Sequence, residues 1–170
     1  MKFEKEGITY LYDGEYYDGI RQWCCHKLKE NDHDVIDYVA RQLAPLVPKD
    51  SILVPTPGHN GYADHTLLLS KAICRYAASS TIADVLKGDS RPSFYEIKKR
   101  GGILSPDDMG FKQTSPLPKN KNIILVDGVV DTGQTSKAAL KALGGGTVLA
   151  FAMTDTILKP MEDRRIVFHR

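Results

Sequence analysis

Residues 123–136 combine the residue types and the spacing that a phosphate-binding loop needs. An apolar run over residues 123–126 predicts a buried strand that ends at Asp127. The sequence then enters a helix through residues 131–135, D-T-G-Q-T. The first amides and the positive dipole end of such a helix suit a phosphate, and Gly133 lets the backbone approach it closely. Asp127 could accept hydrogen bonds from the vicinal hydroxyls of a sugar.

This segment resembles the phosphoribosyl pyrophosphate (PRPP) motif of the type I phosphoribosyltransferases. In that motif four apolar residues precede two adjacent acids, two apolar residues and a loop that ends T-G-x-T. The matching residues after the apolar run are Asp127, Val129, Val130, Thr132, Gly133 and Thr135. The resemblance implies that PRPP is bound by Asp127, Asp131, Thr132, Gly133, Gln134 and Thr135.

The resemblance breaks at Gly128, where the family has its second acid. In the family the paired acids hold the ribose hydroxyls, which also bind Mg²⁺. With Asp127 alone we expect a weaker hold on the ribose, which puts turnover in question. The Mg²⁺ would arrive with PRPP and be bound mostly by the oxygens of the substrate, with Asp127 as a candidate ligand.

Asp131 is open to two interpretations. An Asp before a helix often caps it. In the 6-oxopurine branch of the family, however, an Asp at this place faces the purine and manages the proton on a ring nitrogen. A carboxylate near that nitrogen can act as a general base. The resemblance therefore makes Asp131 the candidate catalytic residue and favours a purine as the acceptor.

A second loop follows the first core strand, where the family has its pyrophosphate loop. Glycines in residues 52–61 (ILVPTPGHNG) would let several amides point at one anion, although an ordinary strand–helix turn is the alternative. The candidate pyrophosphate-binding residues here are Thr56, Pro57, Gly58 and His59. The run V-P-T-P at residues 54–57 also resembles the competence-type (ComF-like) branch of the family.

Residues 87–119, called the lid segment below, are polar, contain several Gly and Pro residues and show little periodicity. A stretch of this length is typical of a functional lid or of a loop without regular structure, and the family has its flexible lid here. Basic residues 98–100 would neutralise the pyrophosphate, since a guanidinium binds two oxygens at once. Lys99 and Arg100 are the candidates, and a solvated run of charge is the alternative.

The apolar periodicity indicates one α/β domain over residues 1–170. Apolar runs predict strands at residues 51–55, 81–86, 122–126 and 147–154. Helical spacing predicts helices at residues 21–29, 34–46, 63–78 and 136–143. This alternation is typical of a mostly parallel central sheet flanked by helices, with a core over residues 51–154.

The first 48 residues are predicted to form a small N-terminal hood and its helices. Residues 8–12 and 15–17 read as the two strands of a hairpin, with Asp13 and Gly14 as its turn. The tyrosines of this hairpin could stack on a planar base, although packing within the hairpin is the alternative.

The composition and the cysteine count narrow the expected functional classes. The 23 basic and 21 acidic residues give a net charge of +2, which does not indicate a nucleic-acid or membrane surface. The three cysteines show neither a disulfide framework nor a C-x-x-C pair, so we expect a reduced, cytoplasmic protein. The first residues are charged and lack the apolar run of a signal peptide.

The sequence therefore predicts a phosphoribosyltransferase of nucleotide salvage, with PRPP, Mg²⁺ and a nucleobase as its small-molecule partners. It would move the 5-phosphoribosyl group to the base and release pyrophosphate. Since dimers are common in the family, a homodimer is an open alternative to a single chain. A PRPP-binding sensor or ComF-like accessory protein without turnover is the alternative function.

Overall fold

The computed structural model describes residues 1–102 and 105–159. The strands are β1 (Lys2–Lys5), β2 (Ile8–Glu15), β3 (Ser51–Pro55), β4 (Thr81–Ile82), β5 (Leu86–Lys87), β6 (Lys112–Gln113), β7 (Asn122–Val130) and β8 (Thr147–Met153). The helices are α1 (Ile20–Lys29), α2 (His33–Leu43), α3 (His65–Tyr76), α4 (Phe94–Lys99), α5 (Gln134–Leu143) and α6 (Asp155–Leu158). Short 3₁₀ turns occupy Tyr16–Asp18, Ala44–Leu46 and Pro106–Met109.

The central sheet has six strands in the order β1-β2-β8-β7-β3-β4. Strands β2, β8, β7, β3 and β4 run parallel, and β1 joins the edge antiparallel to β2. Strands β5 and β6 pair with each other in a separate two-stranded sheet. The prediction of a mixed α/β fold with a mostly parallel sheet is confirmed, although the strand expected at residues 81–86 divides between β4 and β5.

The sheet is buried on both faces because successive side chains of a strand point to opposite sides. Leu53 and Ile124 pack on one face against helices α1, α2 and α3. Val54 and Leu125 pack on the other face against α5 and α6. The apolar runs of β3 and β7 are thus explained by burial on two sides, as in other parallel sheets.

The structure corrects the position of the N-terminal hairpin. Its turn is formed by Glu6 and Gly7, whose φ angles of 52° and 79° suit a two-residue hairpin loop. The predicted turn lies inside β2, where Gly14 pairs with Ala152 of β8. A Cβ at Gly14 would lie 2.3 Å from the guanidinium carbon of Arg21, so this glycine serves close packing. The hairpin extends the central sheet, with β1 as the edge strand and β2 next to it.

The lid segment has more regular structure than the sequence indicates. It contains α4, whose N-terminus is capped by the Ser93 hydroxyl accepting from the Glu96 amide at 3.2 Å. A 3₁₀ turn with a capping box between Ser105 and Asp108 follows, and then β6. Residues 103 and 104 of the lid segment and residues 160–170 of the predicted domain lie outside the described residues. Within the described part of the chain, no helix is both long and apolar enough to span a membrane.

Candidate functional site

A cleft of about 220 Å³ opens at the C-terminal ends of β3 and β7. Asp127 and residues 131–136 line one side of it, and residues 56–58 line the other. Ligands of open α/β sheets bind at this edge, because the loops that follow parallel strands converge there. The cleft therefore brings the two loops singled out in the sequence to one place.

The phosphate loop is a tight turn between β7 and α5. Strand β7 continues to Val130, four residues beyond the predicted end, and α5 begins at Gln134. Gly133 stands at the helix N-cap with a φ of 86°, a left-handed conformation that glycine adopts at little cost. The Gln134 amide donates to the Thr132 hydroxyl at 3.3 Å. The side-chain oxygen of Gln134 is buried without a hydrogen-bond partner in the described chain.

Asp127 is a carboxylate in the floor of the cleft. Burial raises the pKa of its side chain from 3.8 to about 6, and the Gly128 amide and Lys29 oppose that shift. The amide donates to the Asp127 Oδ1 at 2.8 Å. At neutral pH the group is mostly ionised, so the cleft holds a charged acceptor that burial destabilises.

Gly128, the next residue of the strand, lies close to an imidazole. A Cβ at residue 128 would lie 3.8 Å from Nε2 of His65 and 3.4 Å from Cδ1 of Leu28. His65 is the first residue of α3 and lines the cleft. Burial lowers the pKa of His65, Lys29 lowers it further and Asp64 opposes both, so the imidazole is neutral at pH 7. Sequence analysis missed His65 because its spacing to Asp127 carries no local signal.

Asp131 is held by two donors from distant segments. Its Oδ1 accepts from the Thr154 hydroxyl at 2.7 Å, and its Oδ2 lies 3.5 Å from Nζ of Lys98. The helix-capping interpretation is wrong, because Gly133 is the N-cap of α5 and the Asp131 side chain contacts Thr154 and Lys98 instead of an amide of that helix. The proton-handling role of Asp131 stays a prediction.

The loop expected to bind pyrophosphate uses part of its own hydrogen-bonding capacity. The Thr56 hydroxyl donates to the Val126 carbonyl at 2.7 Å, which ties β3 to β7. The Gly58 amide donates to the Tyr62 carbonyl at 2.9 Å, and the Gly61 amide donates to the Gly58 carbonyl at 3.0 Å. The glycine amides thus close a turn instead of converging on an anion.

The other residues predicted for pyrophosphate differ in their positions. Thr56, Pro57 and Gly58 line the cleft, whereas His59 is exposed and lines an adjoining cleft. Lys99 and Arg100 are exposed and are not among the residues that line either cleft. Their pyrophosphate-binding role stays a prediction.

The adjoining cleft, of about 670 Å³, is lined by three cationic side chains and by the carboxylates of Asp64 and Asp131. Lys29, Arg91 and Lys98 line it, and the first two also line the phosphate-loop cleft. The Arg91 amide donates to the His59 carbonyl at 2.8 Å, and burial lowers the pKa of the Arg91 side chain. Sequence analysis missed Lys29, which reads as an ordinary basic residue in the last turn of a helix. It also missed Arg91, a single basic residue in a polar stretch.

No protein-family model and no curated protein matches this sequence. Among solved structures, the chain is similar to a purine phosphoribosyltransferase from Pyrococcus horikoshii Ot3, with 16% identity and a TM-score of 0.43 over 87% of this chain and 81% of that one. It is also similar to an adenine phosphoribosyltransferase from Trypanosoma brucei in complex with AMP, pyrophosphate and ribose-5-phosphate (12% identity, TM-score 0.44, 78% and 72% covered). A third is the xanthine-guanine-hypoxanthine phosphoribosyltransferase of Helicobacter pylori (11% identity, TM-score 0.37, 94% and 100% covered). These three proteins are type I phosphoribosyltransferases, the family whose PRPP motif residues 123–135 resemble.

Proposed function

We propose that the protein is a phosphoribosyltransferase that moves the 5-phosphoribosyl group of PRPP to a nucleobase, with a purine favoured, and releases pyrophosphate. The observation that carries the proposal is the placement of Asp127 and residues 132–135 in a single cleft at the end of β7. A phosphate at the N-terminus of α5 would be held by backbone amides and the helix dipole. The sugar attached to it would then extend toward Asp127.

The reaction breaks the bond between C1 of the ribose and the pyrophosphate oxygen and forms a bond from C1 to a nitrogen of the base. Positive charge develops on the sugar as the first bond lengthens, and the partly buried carboxylate of Asp127 would stabilise it. Lys29, Arg91 and Lys98 would offset the negative charge of the departing pyrophosphate.

The nitrogen of the base loses a proton as it attacks, and Asp131 is the proposed acceptor. In the structure Lys98 lies beside that carboxylate and Thr154 donates to it. Lys98 would have to turn from Asp131 toward the pyrophosphate before a base could approach. The proposal thus ties proton transfer to a movement of this lysine.

Asp127 fits Mg²⁺ only as a companion of the substrate. The described residues contain no group of three His, Cys, Asp or Glu side chains that could hold a metal ion. One carboxylate together with phosphate oxygens is a usual Mg²⁺ environment, and the ion would neutralise charge on the pyrophosphate.

Gly128 favours a second candidate, a PRPP-binding protein without turnover. Its missing carboxylate leaves Asp127 as the one acid beside the ribose hydroxyls. A Cβ at residue 128 would make ordinary contacts, so the backbone accepts a side chain there, and the carboxylate of an Asp would extend toward Leu28 and His65. If Gly128→Asp clearly raises PRPP affinity or turnover, the missing acid limits the wild-type protein. An unchanged protein would mean that the site never depended on that acid.

Pyrophosphate release from PRPP and Mg²⁺, measured across a panel of purine and pyrimidine bases, tests the proposal. Calorimetric titration with PRPP runs in parallel, with Asp127→Asn as the site variant. Asp84→Asn is the matched control, since Asp84 forms a surface pair with Lys87. Release with one base establishes the enzyme, and binding without release supports the second candidate. If PRPP does not bind, both candidates are wrong.

A further inference from the structure

We infer that His65 is a ribose-binding residue, whose imidazole lies beside Gly128 in the cleft that contains the phosphate loop. The inference rests on the proposed function and adds a residue to it. The group to be recognised is a ribose hydroxyl of a 5-phosphorylated sugar. His65 would act together with Asp127, which lines the same cleft.

The geometry of the cleft floor supports this assignment. Asp127 lies in the C-terminal half of β7, and His65 is the first residue of α3. Gly128 follows Asp127 in the strand, and the imidazole Nε2 lies 3.8 Å from the place of its absent Cβ. The imidazole and the carboxylate therefore line the same cleft, which also contains the phosphate loop.

The imidazole has hydrogen-bonding capacity that the protein leaves unused. It makes no hydrogen bond to any residue in the described ranges 1–102 and 105–159, although Lys29 and Asp64 act on it electrostatically. A neutral imidazole offers one donor and one acceptor, whereas an ionised carboxylate only accepts. A polar ring that lines a partly buried cleft without a partner is available to a ligand.

The chemistry of the pair favours a hydroxyl over a second anion. A sugar hydroxyl donates to a carboxylate and can also accept from an imidazole N–H, so vicinal hydroxyls use both groups. An anion in the phosphate-loop cleft would be repelled by the charge of Asp127, which lines it. His65 also lines the adjoining cleft, but Lys29 and Arg91 line that cleft as well, and these cations can receive the anion there.

The test compares the affinities of two probes, ribose 5-phosphate and inorganic phosphate, by calorimetric titration. His65→Phe keeps a ring of similar size but removes both nitrogens, and His65→Gln restores a donor and an acceptor. We expect His65→Phe to lower the affinity for ribose 5-phosphate about tenfold, which corresponds to the loss of one hydrogen bond. The affinity for inorganic phosphate should stay within about twofold of the wild-type value. His65→Gln should recover part of the loss.

Equal affinities of wild type and His65→Phe for ribose 5-phosphate would overturn the inference and leave the proposed function standing. If wild type binds ribose 5-phosphate no better than inorganic phosphate, the proposed function fails as well. Should His65→Phe not fold, the assigned NMR resonances of the His65 imidazole in the wild-type protein decide. These resonances must shift when ribose 5-phosphate is added and stay in place when inorganic phosphate is added. Any other pattern contradicts the role of His65.

Discussion

The Nζ of Lys98 lies 3.5 Å from Oδ2 of Asp131, so that α4 of the lid segment contacts the phosphate loop directly. Two side chains on different sides of the candidate site are thus linked before any substrate binds. The Lys98 side chain is 60% exposed, and an exposed ion pair contributes at most about 1 kcal/mol to stability. The contact therefore depends on the position of α4 and contributes little to the stability of the fold.

Replacing Lys98 with Met should weaken pyrophosphate binding and leave the fold intact. We expect the Kd for pyrophosphate to rise about tenfold, because a cation that lines the adjoining cleft is lost. The urea midpoint should hardly move, since the pair is exposed. Calorimetric titration and urea unfolding measure the two quantities.

Lys99→Met is the matched comparison, because it removes the same charge from the same helix. Lys99 is exposed and does not line either cleft, so the loss of pyrophosphate affinity should be smaller than for Lys98→Met. Equal losses in the two variants would mean that the basic cluster acts only through its total charge.

The raised pKa of Asp127 predicts a measurable cost in stability. Because the folded-state pKa is about 6 and the ordinary value is 3.8, the folded protein binds the extra proton between these values. Stability from this group therefore falls as the pH rises from about 4 to about 6, and the full cost is present above that range. Asp127→Asn removes this cost because Asn does not ionise. The free energy of unfolding of the variant minus that of the wild type should therefore increase by on the order of 2 kcal/mol from pH 4 to pH 7, as measured by urea unfolding.

The same variant should bind PRPP more weakly at pH 7, by about 1 to 3 kcal/mol, if the carboxylate holds ribose hydroxyls. Stability and binding are thus expected to move in opposite directions. A variant that is no more stable at pH 7 than at pH 4, relative to wild type, would show that Asp127 is not destabilised by burial. Unchanged PRPP binding would remove Asp127 from the site.

The phosphate loop was predictable from sequence because its residues are contiguous. A strand, an acid and a glycine before a helix form one local pattern, and Gly133 lies where that pattern requires, whereas Asp127 lies inside β7, three residues before its end. Lys29, His65 and Arg91 come from three separate segments and meet only through the tertiary fold. No spacing along the chain records such a meeting.

The N-terminal hairpin was misplaced for a different physical reason. Asp13-Gly14 is a stronger local turn signal than Glu6-Gly7, but the parallel pairing of β2 with β8 keeps residues 13 and 14 extended. Tertiary pairing thus overrides the local preference, and a glycine that packs against Arg21 resembles a turn glycine in sequence.

Replacing Gly133 with Ala should abolish phosphate binding and lower stability. Its φ of 86° is unfavourable for any residue with a Cβ. The new methyl would also lie 3.1 Å from both the Tyr10 hydroxyl and Cδ1 of Ile157. We expect a loss of about 1 to 3 kcal/mol in the free energy of unfolding and no detectable affinity for ribose 5-phosphate.

Gly144→Ala is the control that separates the strain of a positive φ from a steric effect at the phosphate loop. Gly144 ends the same helix with a φ of 81°, but a Cβ there would have nothing within 4 Å. The free energy of unfolding of this variant should fall by about 1 kcal/mol, and its affinity for ribose 5-phosphate should not change. If Gly133→Ala binds as well as Gly144→Ala does, the phosphate does not approach the backbone at residue 133.

The Thr154 hydroxyl orients the Asp131 carboxylate through a hydrogen bond. Thr154→Val keeps the shape of the side chain but removes the 2.7 Å hydrogen bond to Oδ1 of Asp131. If Asp131 takes the proton of a purine, turnover with that base should fall about tenfold, while PRPP affinity stays within about twofold. Steady-state kinetics with the best purine and titration with PRPP measure the two effects.

Asp131→Asn and the double variant complete the test. Because Thr154 would act through Asp131, adding Thr154→Val to Asp131→Asn should lower turnover no further. If the fold-loss of turnover in the double variant equals the product of the fold-losses in the two single variants, the Thr154 hydroxyl has a role separate from Asp131. If purine turnover survives in Asp131→Asn, the proton is accepted elsewhere, and Asp131 serves only to link the phosphate loop to Lys98 and Thr154.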